Sequence, residues 1–136
     1  MRRLLSYTAS LPITSFGLLL LRIAFAGLLM VHGYDKIVHY NEMSQQFISF
    51  AGLSPALSLG LLIFAEFFCS LFVLVGLFTR FACVPVIIAM SVALLSAHDG
   101  DVTGKGQAAT LFGVAFLTLL FTGPGKYSLD AAFYKH

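Results

Sequence analysis

Residues 56–78 read ALSLGLLIFAEFFCSLFVLVGLF, an apolar run in which Glu66 is the one charged residue. A helix needs about 20 such residues to cross the hydrocarbon core of a bilayer. Hydrocarbon offers no water to the backbone, so a run of this kind must satisfy its own amides and carbonyls as a helix. The stretch therefore predicts a transmembrane helix.

Three further apolar stretches, at about 13–33, 81–97 and 106–122, resemble the first. Of the 136 residues, 59% are hydrophobic and 10% are charged, whereas soluble domains carry about 25% charged residues. We predict an all-α membrane protein: one domain, 1–136, built as a bundle of four transmembrane helices, with the lipid bilayer as its main partner.

The segment between the first two predicted helices carries regularly spaced apolar residues. Their spacing is helical, with polar residues between them, at Tyr40, Met43, Phe47 and Phe50. We predict a short amphipathic helix lying in the membrane interface over about 41–51. The second and third helices are separated by Thr79-Arg80 alone, which predicts an antiparallel hairpin.

Basic residues are distributed unequally between the two predicted sides of the bundle. The side with the N-terminus holds five, namely Arg2, Arg3, Arg80, Lys126 and Lys135. The opposite side holds Lys36 and Lys105. Cytoplasmic loops are enriched in Lys and Arg, so both termini are predicted to be cytoplasmic. The formal net charge is only +2 and no basic run is present, which argues against a nucleic-acid partner.

Arg22 and Glu66 are charges inside predicted spans, where each costs at least about 2.5–3.5 kcal/mol. Counted from the cytoplasmic ends of their helices, their depths agree to within one turn. We therefore predict that they face each other inside the bundle. Such a pair is either a clamp between two helices or a polar anchor for the head of a ligand or for a proton.

Polar residues continue from this pair along both helices. Arg22 and Lys36 are two heptads apart, and His32 lies on the same stripe, so they predict a polar line from mid-membrane to the outer surface. Cys69 and Ser70 follow Glu66 by three and four residues and are predicted beside its carboxylate. The two cysteines, Cys69 and Cys83, differ in depth by about 10 Å, which argues against a disulfide.

A second polar cluster is predicted on the outer side. Asp35 leaves the first helix at the level where His98, Asp99 and Asp101 leave the third. Imidazole and carboxylate groups are metal ligands, but the spacing here is not that of a tight site. We predict that these residues cap helix ends and meet the headgroups, and that the chain holds no metal.

Several short motifs together resemble the DoxX family. They are the helix-one ending His32-Gly33-x-x-Lys36, the central Glu66, Gly76-Leu77-Phe78-Thr79-Arg80, His98, and Gly123-Pro124-Gly125 followed by Ser128-Leu129-Asp130. The resemblance covers about residues 14–131. It implies a bacterial inner-membrane protein with a four-helix plan.

The family takes its name from a subunit associated with a terminal quinol oxidase. Its members include thiosulfate:quinone oxidoreductase subunits, and others are associated with quinone or thiol stress. The present chain lacks the long extra segments of the thiosulfate-oxidising subunits, which argues against that sulfur chemistry.

Three functions fit these observations. The first is a quinone-linked or redox-stress-associated subunit, with quinone as the candidate cofactor and a redox partner protein to complete the reaction, so that the chain is not catalytic alone. The second is a non-enzymatic scaffold or assembly subunit. The third is a small-molecule carrier working as a homo-oligomer. The resemblance favours the first.

Overall fold

The computed structural model describes residues 6–97 and 99–134. Every regular element in these two ranges is a helix. In chain order they are α1 (Leu11–Val38), α2 (Tyr40–Met43), α3 (Pro55–Val75), α4 (Thr79–Ala97), α5 (Gln107–Thr122) and α6 (Leu129–Phe133).

Within the described ranges, three helices are long and apolar enough to span a membrane, namely α1, α3 and α4. The fourth apolar helix, α5, has 16 residues and is about 24 Å long at 1.5 Å per residue. The predicted all-helical membrane bundle is confirmed. The boundaries differ most in α1, which extends two residues earlier and five residues later than the predicted 13–33.

The helices α3 and α4 form the predicted antiparallel hairpin, but the linking residues differ from the prediction. Gly76 ends α3 in the left-handed region, with φ 76°, where glycine has no steric penalty. The link is therefore residues 76–78, and α4 already begins at Thr79. The prediction that Thr79-Arg80 forms the link is wrong because the left-handed glycine stops α3 three residues before 78.

The predicted interfacial helix at 41–51 is wrong in extent, since the helix is only the single turn α2. Residues 47–50, which we call the strap, instead run back over the start of α3. The Tyr40 hydroxyl donates to the Ala56 carbonyl at 3.1 Å, and the Phe50 amide donates to Ser58 Oγ at 3.0 Å. The first bond ties α2 to the start of α3 and the second ties the strap to it, so that the strap follows a non-helical path.

The bundle has two ends, which we name by their connections. The turn side holds the start of α1, the 76–78 link and the segment after α5; the loop side holds the strap and residues 99–106. The contacts between α1 and α3 and between α4 and α5 are the two most extensive between helices of the described ranges. A core runs between the helices, with Leu29, Leu59, Val73, Val86, Phe116 and Leu119 almost completely buried.

Close approach between α1 and α3 depends on Gly33. A Cβ at this position would lie 2.9 Å from the Phe67 backbone nitrogen. Glycine is thus required for the two backbones to meet at this level. This crossing brings the last turns of α1 next to the middle of α3.

Candidate functional site

Each of the three long helices contains a π-helical turn, which lies within α1 and α3 and at the end of α4. These turns are Arg22–Ala26 in α1, Phe64–Cys69 in α3 and Ala93–Ala97 in α4. Each inserts a residue into the helical repeat, and such turns occur frequently at functional sites. The first two contain Arg22 and Glu66, the charged residues that the sequence singled out within the spans.

Arg22 is buried and donates to four backbone carbonyls. Its Nε bonds the Val73 oxygen at 2.9 Å, and Nη2 bonds the Leu74 oxygen at 2.8 Å. Its Nη1 bonds the oxygens of Pro124 at 3.1 Å and Tyr127 at 2.7 Å. The prediction that Arg22 faces Glu66 is therefore wrong.

Arg22 binds carbonyls and not Glu66 because carbonyls at a helix end lack a hydrogen-bond donor. The last carbonyls of a helix have no partner within that helix, and they carry the negative end of its dipole. Val73 and Leu74 lie in the last turn of α3 before Gly76. A planar guanidinium with five donors satisfies several such carbonyls at once. A depth match between charged side chains does not include backbone carbonyls as partners.

The segment after α5 completes a cluster on the turn side. The Asp130 carboxylate accepts from the amides of Phe78 at 2.8 Å and Thr79 at 3.0 Å, and so caps the start of α4. The Asp130 amide donates to the Gly76 carbonyl at 2.8 Å. The residues of the Gly-Pro-Gly and Ser-Leu-Asp motifs thus hold the hairpin and the chain end together.

Glu66 pairs with Lys36 instead of Arg22. Lys36 Nζ donates to Glu66 Oε2 at 2.7 Å, and the side chains are 18% and 6% exposed respectively. The pair connects the last turn of α1 to the π-helical turn of α3. The sequence signal that points to it is Gly33, because the close crossing at Phe67 places Lys36 beside Glu66.

The Lys36–Glu66 pair forms part of the wall of a cavity of about 580 Å³. Its walls come from α1, the strap, α3, α4 and α5 and are mainly aliphatic and aromatic. Polar side chains on the wall are His32, Lys36, Ser49, Ser58, Glu66 and Ser96. Small-molecule sites are typically concave, mostly apolar and of about 300–1,000 Å³, with a few polar groups that fix the ligand.

His32 lies on the cavity wall with its ring edge-to-face against Phe112, at a centroid distance of 5.8 Å. Cys69 and Ser70, in contrast, are buried in the bundle and do not line the cavity. Ser70 Oγ donates to the Ala65 carbonyl at 3.5 Å, within the π-helical turn. Cys69 and Cys83 are both free thiols. The polar line of α1 is thus divided: Arg22 lies apart, and His32 and Lys36 share the cavity with Glu66.

The outer polar residues bind their own neighbours. The Asp101 carboxylate accepts from the amides of Gly104 at 2.9 Å and Lys105 at 3.3 Å. The Asp35 carbonyl bonds His39 Nδ1 at 2.9 Å, and the Asp35 carboxylate lies 3.3 Å from the same nitrogen; together they raise the pKa of this exposed histidine. Asp99 lies in the loop with φ 51°, and His98 lies outside the described residues. Within residues 6–97 and 99–134, no three His, Cys, Asp or Glu residues converge as metal ligands would.

Comparison with known proteins places this arrangement in a family. The model of the DoxX family matches residues 17–99, which contain α3, α4 and α1 from Gly17 onward, together with Lys36 and Glu66. The chain belongs to the DoxX family. As a DoxX protein with several membrane-spanning helices, it is a multi-pass inner-membrane protein.

Two relatives span nearly the full length of this DoxX chain. The inner membrane protein YphA of Escherichia coli is 27% identical over 122 residues, 83% of this chain and 87% of YphA. An uncharacterized protein of Haemophilus influenzae is 30% identical over 130 residues, 88% of this chain and 92% of its own length. No solved structure matches the chain.

Proposed function

We propose that this DoxX protein is a quinone-linked, redox-associated subunit that binds a quinone-type molecule in the cavity beside Lys36 and Glu66. The observation that carries the proposal is a 2.7 Å ion pair on the wall of a mainly apolar cavity of about 580 Å³. Ionisable groups within a bundle are costly and commonly mark functional sites. The pair thus supplies the polar end of a binding site whose other walls are apolar.

The chemistry of the polar groups suits a quinone and its quinol. A quinone carbonyl accepts hydrogen bonds, which the Lys36 ammonium or a His32 ring N–H can donate. A quinol hydroxyl donates, and the Glu66 carboxylate accepts. The apolar walls, among them Phe112 and Met90, suit the ring and its prenyl chain. The same three side chains thus serve both redox states of the ligand.

Electron transfer requires a second protein in this proposal. The chain supplies the binding pocket and proton-handling groups, and a redox partner supplies or accepts the electrons. This division agrees with the family resemblance, because the DoxX family is named after a subunit associated with a terminal quinol oxidase. The protein therefore acts as a quinone-binding subunit within an assembly.

A matched pair of variants tests the site. Ala89 lies on the cavity wall, so Ala89→Phe fills part of the space; Ala24 lies exposed on α1, outside it, so Ala24→Phe does not. Protein purified in mild detergent is extracted with organic solvent and analysed by mass spectrometry. We expect quinone with the wild type and A24F, and its loss from A89F. Phospholipid alone in all three samples would contradict the quinone assignment.

A second candidate is a scaffold or homo-oligomer contacting partners through α1. The observation that favours it is the outward face of this helix, where Ile23, Leu28 and Val31 are 51%, 58% and 65% exposed. A Cβ at Gly17 or Gly27 would meet nothing within 4 Å, and small residues permit close helix contacts in membranes. Affinity purification in mild detergent tests it: a retained partner chain supports it, and a clean monomer contradicts it.

The carrier hypothesis loses its main argument, because the Arg22 guanidinium is bound to four carbonyls and does not line the cavity. The orientation remains the positive-inside proposal, with the turn side and both termini cytoplasmic. Fusion of a fluorescent protein or of alkaline phosphatase after His136 tests this orientation. We expect fluorescence and no phosphatase activity; the reverse result would invert the topology.

A further inference from the structure

The helices α3 and α4 separate towards the loop side. From Phe64 to Val75, α3 packs against both α1 and α4; from Pro55 to Ile63 it packs mainly against α1. The last turn of α4, by contrast, packs against α5. The two arms of the hairpin thus touch near their link and diverge beyond it, and the cavity lies between the diverging parts.

The edge of this gap is apolar and exposed. Leu61 and Phe64 on α3 and Ile88 on α4 line the cavity and are 48%, 50% and 53% exposed. Leu61 lies six residues from the start of α3, about 9 Å along it, and Ile88 lies nine residues from the end of α4, about 14 Å. Both residues are therefore at hydrocarbon depth, and the gap faces acyl chains.

The strap covers the cavity on its loop side. All four of its residues, Phe47, Ile48, Ser49 and Phe50, are on the cavity wall. The bond from the Phe50 amide to Ser58 Oγ fixes the strap to the first turn of α3. A solute from the aqueous phase would have to displace this bond, whereas a molecule dissolved in the bilayer meets only apolar side chains at the gap.

We infer that the ligand reaches the cavity sideways from the bilayer, through the gap between α3 and α4. The ligand is then a membrane-dissolved amphiphile whose hydrocarbon chain lies in the gap and whose polar head meets Lys36 and Glu66. The inference rests on the proposed function for the existence of a bound head group. What the inference adds is the route through the gap and the hydrocarbon chain of the ligand. Both exclude water-soluble ligands of the same head-group chemistry.

The chain contains no tryptophan, so a single introduced indole reports on one position. Phe112 lies on the cavity wall, and Phe116, one turn along α5, lies in the core away from it. Leu111 on the same helix is 54% exposed and does not line the cavity. The variants F112W, F116W and L111W therefore sample the cavity, the sealed interior and the lipid-facing surface.

Each variant is reconstituted in phosphatidylcholine vesicles with or without bromine on the acyl chains, and the loss of tryptophan fluorescence is measured. We expect strong quenching at L111W, little at F116W, and a value at F112W approaching that of L111W. Adding A89F to F112W is expected to remove the quenching, whereas adding A24F leaves it. The inference would be overturned if brominated lipid quenched F112W no more than F116W. It would also be overturned if aqueous iodide, and not brominated lipid, quenched F112W.

The same proteins separate this inference from the proposed function. Quenching of F112W by brominated lipid with no quinone in the extract keeps the bilayer route and rejects the quinone. Quinone in the extract with F112W quenched by iodide alone keeps the quinone and rejects the route. If F112W fails to reconstitute, Met90→Trp serves as the cavity reporter, since Met90 also lines the cavity.

Discussion

Lys36 and Glu66 form a 2.7 Å ion pair that joins α1 to α3 inside the bundle. The carboxylate is almost fully buried, and the ammonium is mostly so. Removing one partner of a buried pair leaves a charge without compensation, which is strongly destabilising, whereas removing both partners is much less so. The pair therefore behaves as a unit in which each charge offsets the free-energy cost of burying the other.

A double-mutant cycle tests this coupling. We expect Lys36→Met and Glu66→Gln each to lower the free energy of unfolding by about 2–3 kcal/mol, and the double variant to recover a large part of the loss. The measurement is unfolding in detergent followed by circular dichroism. Asp35→Asn, at an exposed pair with His39, is the control and should change stability by under about 0.5 kcal/mol. Additive losses in the double variant would refute the coupling.

Arg22 should tolerate no other cation. Arg22→Lys keeps the charge but has three donors on one nitrogen, so it cannot span carbonyls from α3 and from residues 124 and 127. We expect losses of about 3 kcal/mol for Arg22→Lys and more for Arg22→Met, measured as the fraction folded after heating in detergent.

The control for Arg22 is Arg80→Lys. Arg80 is exposed, and its Nη2 bonds the Phe121 carbonyl at 3.4 Å. This substitution should leave the fraction folded close to that of the wild type, because a long exposed bond contributes little. An R22K protein as heat-stable as R80K would show that the four carbonyl bonds do not hold the bundle together.

Gly33 and Gly27 on α1 offer a matched test of the close crossing. Gly33→Ala adds a Cβ 2.9 Å from the Phe67 nitrogen, whereas a Cβ at Gly27 meets nothing within 4 Å. We expect G33A to push α1 from α3 and lower stability by about 1–3 kcal/mol. G27A should be neutral or stabilising by up to about 1 kcal/mol, since alanine favours the helix. Equal effects in size-exclusion profiles after heating would contradict the crossing.

Asp130 should contribute as a helix cap. Asp130→Ala removes the acceptor for the amides of Phe78 and Thr79, and loss of such a cap costs about 1 kcal/mol. We expect a lower midpoint of thermal unfolding, with Asp130→Asn intermediate because its amide oxygen still accepts. Glu42→Ala, at an exposed acid in α2, is the control. A midpoint for D130A equal to that of E42A would remove Asp130 from the capping role.

The membrane fold follows from the sequence because its cause is local. An apolar run such as 56–78 has no other stable form in hydrocarbon, so the helix is fixed before any contact forms. The register of side chains between helices, in contrast, is not determined by one stretch of sequence. It depends on π-helical turns at 22–26 and 64–69, and no period in the apolar residues signals an inserted residue.

The pairing of charges illustrates the same limit. Glu66 stood out from the sequence, but its partner depended on where α1 crosses α3, which Gly33 sets. Arg22 also stood out, yet its partners are backbone carbonyls, which every residue has and which a sequence cannot distinguish. The cavity and the strap depend on side-chain packing between distant elements, and the helical spacing of Tyr40, Met43, Phe47 and Phe50 predicted the wrong structure there.

The four carbonyls around Arg22 are far apart along the chain, and this orders the events of biosynthesis. The arginine enters the membrane with the first helix and meets Val73 and Leu74 only when α3 has been inserted. Pro124 and Tyr127 follow α3 and α4 in the chain, so they leave the ribosome later still. The nascent bundle thus holds a half-satisfied guanidinium until residues 124 and 127 reach it, so a truncation before residue 124 should direct the protein to quality-control proteolysis.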